Sequence, residues 1–318
     1  MAEKQIVAAI DCGTNSIRLL IAQANFENQQ LLPIYTDNII VRLGQGVDKT
    51  GKFADKAIER TFVALDNYAR QIKKFKANKV RFIATSATRD ASNREKFIEG
   101  VKERVGVEPE IISGDEEAAL SFSGALLGLS PEEKAPYLLS DLGGGSTEIV
   151  LGAQDGVMQE YSMDVGCVRI TERCLKSDPP TKEEIEDGIK VIDAAIDEAL
   201  AKVDIKAARS YIGVAGSTTT IAAHAMGMTS YDSEKLHGAK LDFNEVYEAA
   251  ETILNLSTHQ RATLSIISSG RIDVIGAGAL VLMRLIKRIS KETDGKVSQL
   301  IISETDILHG IALSCVLD

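Results

Sequence analysis

The segment YLLSDLGGGSTEIVLG, residues 137–152, consists of two apolar runs joined by a polar, glycine-rich turn. Apolar and β-branched runs around clustered glycines predict two β-strands connected as a hairpin. Because glycine has no Cβ, its backbone N–H can approach an anion closely, and successive N–H groups form an anion-binding concavity. Asp141, at the end of the first strand, adds a carboxylate that can hold Mg²⁺. The alternative is a tight hairpin without a ligand, in which Asp141 is an ordinary turn residue.

The same pattern occurs near the N-terminus. AAIDCGTNSIRLLIAQ, residues 8–23, is also an apolar run, an aspartate, a polar turn with glycine and a second apolar run. Asp11 and Asp141 are 130 residues apart. A repeat at this spacing predicts two similar α/β halves, each beginning with a phosphate-binding hairpin. The alternative is a chance likeness between two unrelated hairpins.

A third turn of this kind lies in RSYIGVAGSTTTIAAHAMG, residues 209–227, where glycines and hydroxyl residues separate a predicted strand from a predicted helix. The free N–H groups at the start of such a helix can bind an anion. Tight packing at a strand–helix turn would also explain the glycines. Three such turns in one chain favour a phosphate-rich ligand.

Two polar side chains follow the buried strand predicted in VRFIATSATRDASN, residues 80–93. Arg89 and Asn93 come after its carboxyl end, the place where open α/β sheets bind ligands. The planar guanidinium of Arg89 suits phosphate, although a salt bridge at a helix cap is an equal alternative. Arg169, in VGCVRITE, is a further basic candidate, with a surface salt bridge as its alternative.

Glu117 lies in the first turn of the helix predicted within residues 107–129. Ser113 and Glu116 fit a capping box, which explains Glu116 but not its neighbour. A carboxylate at this position could accept a proton from water during phosphoanhydride hydrolysis. A solvated helix glutamate is the alternative interpretation of Glu117.

Length and composition indicate a globular protein of more than one domain. The chain has 318 residues, 44% hydrophobic and 26% charged, and single cores stop growing near 250–300 residues. The polar segment SPEEKAP, residues 130–136, is the predicted boundary. We expect no signal peptide and no membrane helix, because no apolar run approaches 18 residues.

The charge and the cysteine content exclude other classes. The net charge of −10 argues against non-specific nucleic-acid binding. The four cysteines form no C-x-x-C pair and only four histidines are present, which argues against a zinc site and for a cytoplasmic protein.

Eight segments resemble the exopolyphosphatase and guanosine pentaphosphate phosphohydrolase (Ppx/GppA) family of the actin-like ATPase superfamily. In order along the chain they are AAIDCGTNSIRLLI, ATSATRDASN, IISGDEEAALSF, SDLGGGSTEIVLG, VGCVRITE, GVAGSTTTIAA, GRIDVIGAGALVL and ISETDILHGIAL. The resemblance implies an α/β fold of two actin-like, ribonuclease-H-like domains with a cleft between them. The first domain would be residues 1–130 with the C-terminal helix 304–318 packed back on it, and the second would be residues 136–303.

The resemblance also implies Mg²⁺-dependent release of terminal phosphate from inorganic polyphosphate or from pppGpp. Glu117 matches the family's catalytic glutamate, which activates water, and Asp141 and Glu148 match acidic residues tied to metal and catalytic water. Arg89 and Asn93 match positions near the phosphate chain. The two phosphate loops correspond to Asp11, Gly13, Thr14, Asn15 and Ser16, and to Gly143, Gly144, Gly145, Ser146 and Thr147.

The chain departs from longer relatives, which carry a C-terminal helical domain of the HD type. We expect that domain to be absent and short polyphosphates to be the substrates. An ATP-dependent kinase or switch of the same fold and a non-catalytic phosphate sensor are the alternatives from other classes. The expected partners are polyphosphate or pppGpp and no nucleic acid or membrane, with homodimer formation left open.

Overall fold

The computed structural model describes residues 5–25 and 30–317. The strands are β1 (Gln5–Cys12), β2 (Ser16–Asn25), β3 (Gln30–Ile40), β4 (Lys79–Ala84), β5 (Glu110–Ile111), β6 (Tyr137–Leu142), β7 (Thr147–Ala153), β8 (Gly156–Met163), β9 (Ser210–Val214), β10 (Lys240–Asp242) and β11 (Gln299–Ile302). The helices are α1 (Val47–Thr50), α2 (Asp55–Phe75), α3 (Ser86–Asp90), α4 (Glu95–Val105), α5 (Gly114–Leu126), α6 (Cys167–Arg173), α7 (Lys182–Leu200), α8 (Ala215–Ala225), α9 (Ser233–Leu236), α10 (Phe243–Asn255), α11 (Thr258–Arg261), α12 (Ile275–Glu292) and α13 (Ile307–Leu317). A 3₁₀ turn covers Ile205–Ala207.

The chain forms two compact units, Met1–Gly124 with Ile307–Asp318, and Ala125–Asp306. In the first unit, a five-stranded sheet has the order β3-β2-β1-β4-β5. The first three strands in sequence are antiparallel neighbours, whereas β4 and β5 continue the sheet in parallel from β1. Asp11 ends the central part of this sheet, directly opposite Arg18 of β2.

The sheet of the second unit repeats this topology. Its order is β10-β11-β9-β6-β7-β8. The strands β6, β7 and β8 are antiparallel, and β9 and β11 follow in parallel from β6. Only the short antiparallel edge strand β10 has no counterpart in the described part of the first unit. The predicted α/β fold class and the predicted repeat of two similar halves are therefore confirmed.

Buried strands carry the hydrophobic core of the first unit on both faces. Ala8, Ile10 and Cys12 of β1 join a cluster that includes side chains of α2 and α4. Val7 and Ala9, which point to the other face because side chains alternate along a strand, join a cluster with α5 and α13. The amphipathic helix predicted between residues 53 and 75 is confirmed as α2.

In the second unit, α12 is the central helix of the core and packs against α6, α7, α8 and α10. Gly278 permits the close approach to α8, because a Cβ there would lie 2.7 Å from Ser217 Oγ. None of the helices in residues 5–25 and 30–317 is both long and apolar enough to span a bilayer.

Candidate active site

The predicted phosphate turn of the first unit connects β1 to β2. The Gly13 N–H donates to the Ser16 carbonyl at 3.0 Å and closes the turn. The segment after β3 binds two carbonyl groups of this turn. The Gly44 N–H donates to the Thr14 carbonyl at 2.8 Å, and the Arg42 N–H donates to the Asn15 carbonyl at 2.8 Å. The sequence-based interpretation missed Gly44, where a Cβ would overlap the Thr14 side chain.

Asp11, predicted in the first phosphate loop, is ion-paired across the hairpin with Arg18. The carboxylate oxygen Oδ2 accepts from Arg18 Nη2 at 2.7 Å and from Nε at 3.0 Å. The Asp11 side chain is 9% exposed and that of Arg18 is 20% exposed, so the pair is largely shielded from water. Arg18 thus balances the charge of Asp11 within the hairpin, and a role of Asp11 in phosphate binding stays a prediction.

The predicted phosphate turn of the second unit has the same closing hydrogen bond. The Gly143 N–H donates to the Ser146 carbonyl at 3.0 Å. The first residues of α6 bind the turn from behind: Cys167 N–H donates to the Gly143 carbonyl at 3.0 Å, and Val168 N–H to the Gly144 carbonyl at 2.8 Å. Gly166 was also missed by the sequence-based interpretation, and a Cβ there would overlap the Gly144 carbonyl.

The N–H groups of this second turn are available to a ligand. Within the described ranges, no hydrogen bond is made by the backbone N–H of Gly144, Gly145 or Ser146. Three consecutive unpaired N–H groups form an anion-binding concavity of the kind that glycine-rich turns provide. Thr147 has a structural role as well, since its buried hydroxyl donates to the Val165 carbonyl at 2.5 Å.

Asp141 and Glu148 are directly opposite each other across β6 and β7. Opposed residues of an antiparallel pair have Cβ atoms about 4.5–5.5 Å apart and lie on one face of the sheet. Both residues are buried, and Glu148 Oε1 accepts from Ser162 Oγ of β8 at 2.7 Å. Two facing carboxylates supply oxygen ligands of the kind that Mg²⁺ prefers in proteins.

Glu117 is buried in the first turn of α5 and is ion-paired with Arg89. Its Oε2 accepts from Arg89 Nη1 at 2.7 Å, and the same nitrogen donates to the Ile112 carbonyl at 2.9 Å. The solvated glutamate considered from the sequence is therefore wrong, because only 11% of the Glu117 side chain is exposed. The Nε and Nη2 atoms of Arg89 have no protein partner among the residues described.

Arg89 is carried by α3, which begins beside the first phosphate turn. The Thr85 N–H donates to the Cys12 carbonyl at 3.2 Å, and Thr85 Oγ1 is 4.0 Å from the position that a Gly13 Cβ would take. In the first unit, the glycine turn is therefore connected to α3 through Thr85, and α3 is connected to Glu117 through Arg89.

Asn93 has a different set of partners from those of its neighbour Arg89. Its Oδ1 accepts from the Phe53 N–H at 2.8 Å, and its Nδ2 donates to the Phe53 carbonyl at 3.0 Å. The side-chain amide thus fixes the segment before α2. A direct role of Asn93 in phosphate binding stays a prediction.

The third predicted turn precedes α8. Gly216, in the first turn of α8, lies under the guanidinium of Arg271, and a Cβ at Gly216 would overlap Arg271. The alternative of a packing glycine is therefore supported at this position. Two of the hydroxyl groups that follow have internal partners: Thr220 Oγ1 donates to the Gly216 carbonyl at 2.6 Å, and Thr219 Oγ1 accepts from the Tyr231 hydroxyl at 2.6 Å.

Two buried thiols, those of Cys12 and Cys167, lie beside the two glycine turns. Burial, reinforced by the charge of Asp11, raises the pKa of Cys12 well above its usual value. Burial also raises the pKa of Cys167, although hydrogen bonding to Ser217 opposes the shift. Because the thiolate is the reactive form, these shifts disfavour the two thiols as nucleophiles.

Comparison with known proteins identifies the family. The model of the Ppx/GppA phosphatase family matches residues 21–317. Exopolyphosphatase 2 of Mycobacterium tuberculosis is 45% identical over 315 residues, which cover 97% of this chain and 98% of that protein. The crystal structure of an exopolyphosphatase-like protein is 42% identical with a TM-score of 0.95, and covers 98% of both chains.

A second solved structure, the Ppx/GppA family member of Aquifex aeolicus, is 30% identical with a TM-score of 0.79, again over 98% of both chains. These similarities extend over both sheets and both hairpin turns. A family match to residues 21–317 and an identity of 45% along nearly the whole chain show that this protein belongs to the Ppx/GppA phosphatase family.

Proposed function

We propose that the chain is an exopolyphosphatase, which hydrolyses the terminal phosphate of inorganic polyphosphate, with short chains as its substrates. The observation that carries the proposal is the full-length similarity to Exopolyphosphatase 2 of Mycobacterium tuberculosis. The enzyme is a phosphoanhydride hydrolase: water adds to the terminal phosphorus, the bridging P–O bond breaks, and orthophosphate and a chain shorter by one phosphate are released.

Glu117 is the proposed general base. Its carboxylate would accept a proton from the attacking water while a new P–O bond forms. Arg89 holds one oxygen of Glu117 at 2.7 Å, which restricts the carboxylate to one orientation. The remaining donors of Arg89 would bind an oxygen of the terminal phosphate, so one guanidinium orients both the base and the group under attack.

The two glycine turns are the proposed phosphate-binding elements, with Gly13, Thr14, Asn15 and Ser16 in the first unit and Gly143, Gly144, Gly145, Ser146 and Thr147 in the second. Their N–H groups would donate to phosphate oxygens, and such preorganised donors stabilise charge that develops during the reaction. Since the net charge of the protein is −10, this local arrangement must supply the attraction for a polyanion.

The carboxylates of Asp141 and Glu148 are suitable ligands for Mg²⁺. Their donor set consists of oxygen atoms, and Mg²⁺ in phosphate-processing enzymes is held by one or two carboxylates together with water and substrate phosphates. The two carboxylates are the proposed ligands, and water and substrate phosphate would complete the coordination, because the described ranges contain no cluster of three or more His, Cys, Asp or Glu that could hold a metal. When bound, the ion would neutralise charge on the phosphate oxygens.

The same groups would act on pppGpp, whose 5′ end is also a phosphate chain, and this is the second candidate substrate. We further propose a cytoplasmic location, which is supported by four free cysteines, three of them buried. No nucleic acid or membrane partner is proposed.

Phosphate release tests this function. The wild-type protein should release orthophosphate from polyphosphates of defined length in the presence of Mg²⁺, and pppGpp and ATP are assayed in parallel. Glu117→Gln should keep the fold and lose most of the turnover, by about 10²–10⁴-fold, the usual contribution of a general base.

Glu116→Gln is the matched control, because Glu116 is adjacent but pairs with Arg81 at the exposed side of α5. It should retain activity. No release from any polyphosphate by the wild-type protein would reject the proposed function. Wild-type turnover by Glu117→Gln would reject the role of Glu117 alone.

A further inference from the structure

Arg169 has an unusual position for a charged residue, because it is almost completely buried behind the second phosphate turn. Only 8% of the residue is exposed. Its Nε donates to the Gly145 carbonyl at 2.7 Å, its own backbone N–H donates to the Gly144 carbonyl at 3.1 Å, and its Nη2 lies 3.7 Å from Asp164 Oδ1. The side chain therefore binds the turn itself.

A bound carbonyl determines where the next N–H points. In a planar trans peptide, the C=O of one residue and the N–H of the following residue point in opposite directions. The carbonyls of Gly143 and Gly144 are held by backbone N–H groups of α6, which directs the N–H groups of Gly144 and Gly145 away from that helix. The Gly145 carbonyl is held by the Arg169 side chain, which directs the Ser146 N–H in the same way.

The first glycine turn is held through its backbone carbonyls. Backbone N–H groups of Val41, Arg42 and Gly44 bind its Thr14 and Asn15 carbonyls. In the second turn, backbone N–H groups hold the Gly143, Gly144 and Ser146 carbonyls, whereas the Gly145 carbonyl is held by a side chain. Substitution of Arg169 removes the side-chain hydrogen bond to the Gly145 carbonyl and leaves the three backbone hydrogen bonds from α6 to the turn in place.

We propose that Arg169 is a positioning residue, which orients the Ser146 N–H of the second turn toward a phosphate oxygen of the substrate. The proposal rests on the proposed function, because that function supplies the anion. Arg169 acts through the Gly145–Ser146 peptide, because its side chain donates a hydrogen bond to the Gly145 carbonyl. A basic residue that contacted phosphate directly would act through its charge instead.

The test compares Arg169→Met and Arg169→Lys. Both are made in the Glu117→Gln background so that inorganic triphosphate is bound without turnover, and binding is measured by calorimetry in the presence of Mg²⁺. Arg169→Met keeps an apolar side chain and removes every donor, so the Kd should rise about tenfold, which corresponds to one hydrogen bond. Arg169→Lys retains a donor and should recover part of the affinity.

In the otherwise wild-type enzyme, the same substitutions should raise KM more than they lower kcat. Arg173→Met, on the exposed side of α6, is the matched control and should bind triphosphate as the parent protein does. Equal affinities of Arg169→Met and its parent would overturn the proposal, and so would a loss that disappears at high salt, because screening removes a direct charge contact. Failure of the parent itself to bind triphosphate would count against the proposed function instead.

Discussion

At the scale of single residues, the two hairpins differ most at one equivalent position. Seven residues after each aspartate, the facing residue is Arg18 in the first unit and Glu148 in the second. The first hairpin therefore carries its own counter-charge, since Arg18 neutralises Asp11. The second hairpin instead places two acids face to face, and the proposed metal site rests on this pair. The same backbone thus supports two electrostatically opposite arrangements.

This difference predicts that substitutions at the two hairpins change the thermal stability gained from Mg²⁺ in different ways. Without Mg²⁺, Glu148→Gln removes one of two facing charges but also weakens the hydrogen bond from Ser162 Oγ to Glu148, so the thermal midpoint should change little. The variant should lose most of the stabilisation that Mg²⁺ confers on the wild type, which is about 2.7 kcal/mol at a hundredfold excess over Kd. Thermal unfolding with EDTA and with Mg²⁺ measures both quantities.

Asp11→Asn is the comparison at the equivalent hairpin. It removes charged hydrogen bonds to Arg18, so the midpoint in EDTA should fall by the equivalent of about 1.5–3 kcal/mol, while the Mg²⁺-dependent gain remains. A loss of the Mg²⁺ effect in Asp11→Asn equal to that in Glu148→Gln would contradict this assignment of the metal.

The thiols give a second prediction at this scale. Because the pKa values of Cys12 and Cys167 are raised by burial, both remain protonated at neutral pH, and the fraction of reactive thiolate grows only as the pH rises far above that range. Treatment of the native enzyme with iodoacetamide at neutral pH should leave phosphate release unchanged. Mass spectrometry should find both residues unmodified, and rapid inactivation with modification of either would disprove the expectation.

At the scale of secondary-structure elements, each phosphate turn depends on the segment that follows the third strand of its sheet. The segment after β3 binds the first turn and the start of α6 binds the second. In both segments a glycine lies where a side chain would overlap the turn: Gly44 against Thr14, and Gly166 against Gly144. Close backbone approach therefore maintains the turns, and any side chain larger than hydrogen would displace them.

Gly166→Ala should consequently impair activity and stability together. The added methyl would overlap a backbone carbonyl, which has no rotamer to relieve the contact, and overpacking of this kind costs about 1–3 kcal/mol. Urea unfolding and phosphate release measure the two effects.

Gly188→Ala in α7 is the control for this substitution, because its tightest contact would be with the end of a side chain, Leu280 Cδ2 at 2.9 Å, and its contacts with Cys174 and Leu175 would be ordinary ones. Alanine also favours a helix over glycine by about 0.8–1 kcal/mol. Wild-type turnover by Gly166→Ala would show that the turn tolerates movement and would remove the reason for the glycine.

At the scale of the whole molecule, the chain returns to its first unit at its end. α13 covers one face of the sheet formed by β1, β2 and β4, with Ile311 fully buried against residues from the first strands. Gly310 brings α13 close to α5, because a Cβ there would overlap the Leu120 carbonyl. The stability of the first unit therefore depends on residues about 300 positions from its first strand.

Ile311→Ala should destabilise the first unit by about 2–5 kcal/mol, the usual cost of a cavity in a packed core. Hydrogen exchange of peptides from β1, β2 and β4 should accelerate, as measured by mass spectrometry. Val63→Ala, at a position in α2 that is 71% exposed, is the control in the same unit and should leave these rates unchanged. Unchanged exchange in Ile311→Ala would show that α13 is dispensable for the core.

Much of this protein could be predicted from local sequence. The α/β fold, the repeated hairpins and the glycine turns follow from apolar runs and glycines within about sixteen residues, because strands and turns depend on neighbouring residues. The buried state of Glu117 did not follow, since its partner Arg89 lies 28 residues earlier in the chain. Asn93 was grouped with Arg89 by proximity, yet its amide binds Phe53, 40 residues away.

The sequence by itself determined the family, the two turns and the acidic residues beside them, because these depend on residue type and short spacing. Only the tertiary structure decided that Arg18 opposes Asp11, that Gly44 and Gly166 support the turns, and that Arg169 is buried behind the second one. The physical reason is that hydrogen bonds and steric overlap depend on which distant segments fold together. No local pattern records that the Gly145 carbonyl will meet a side chain 24 residues later.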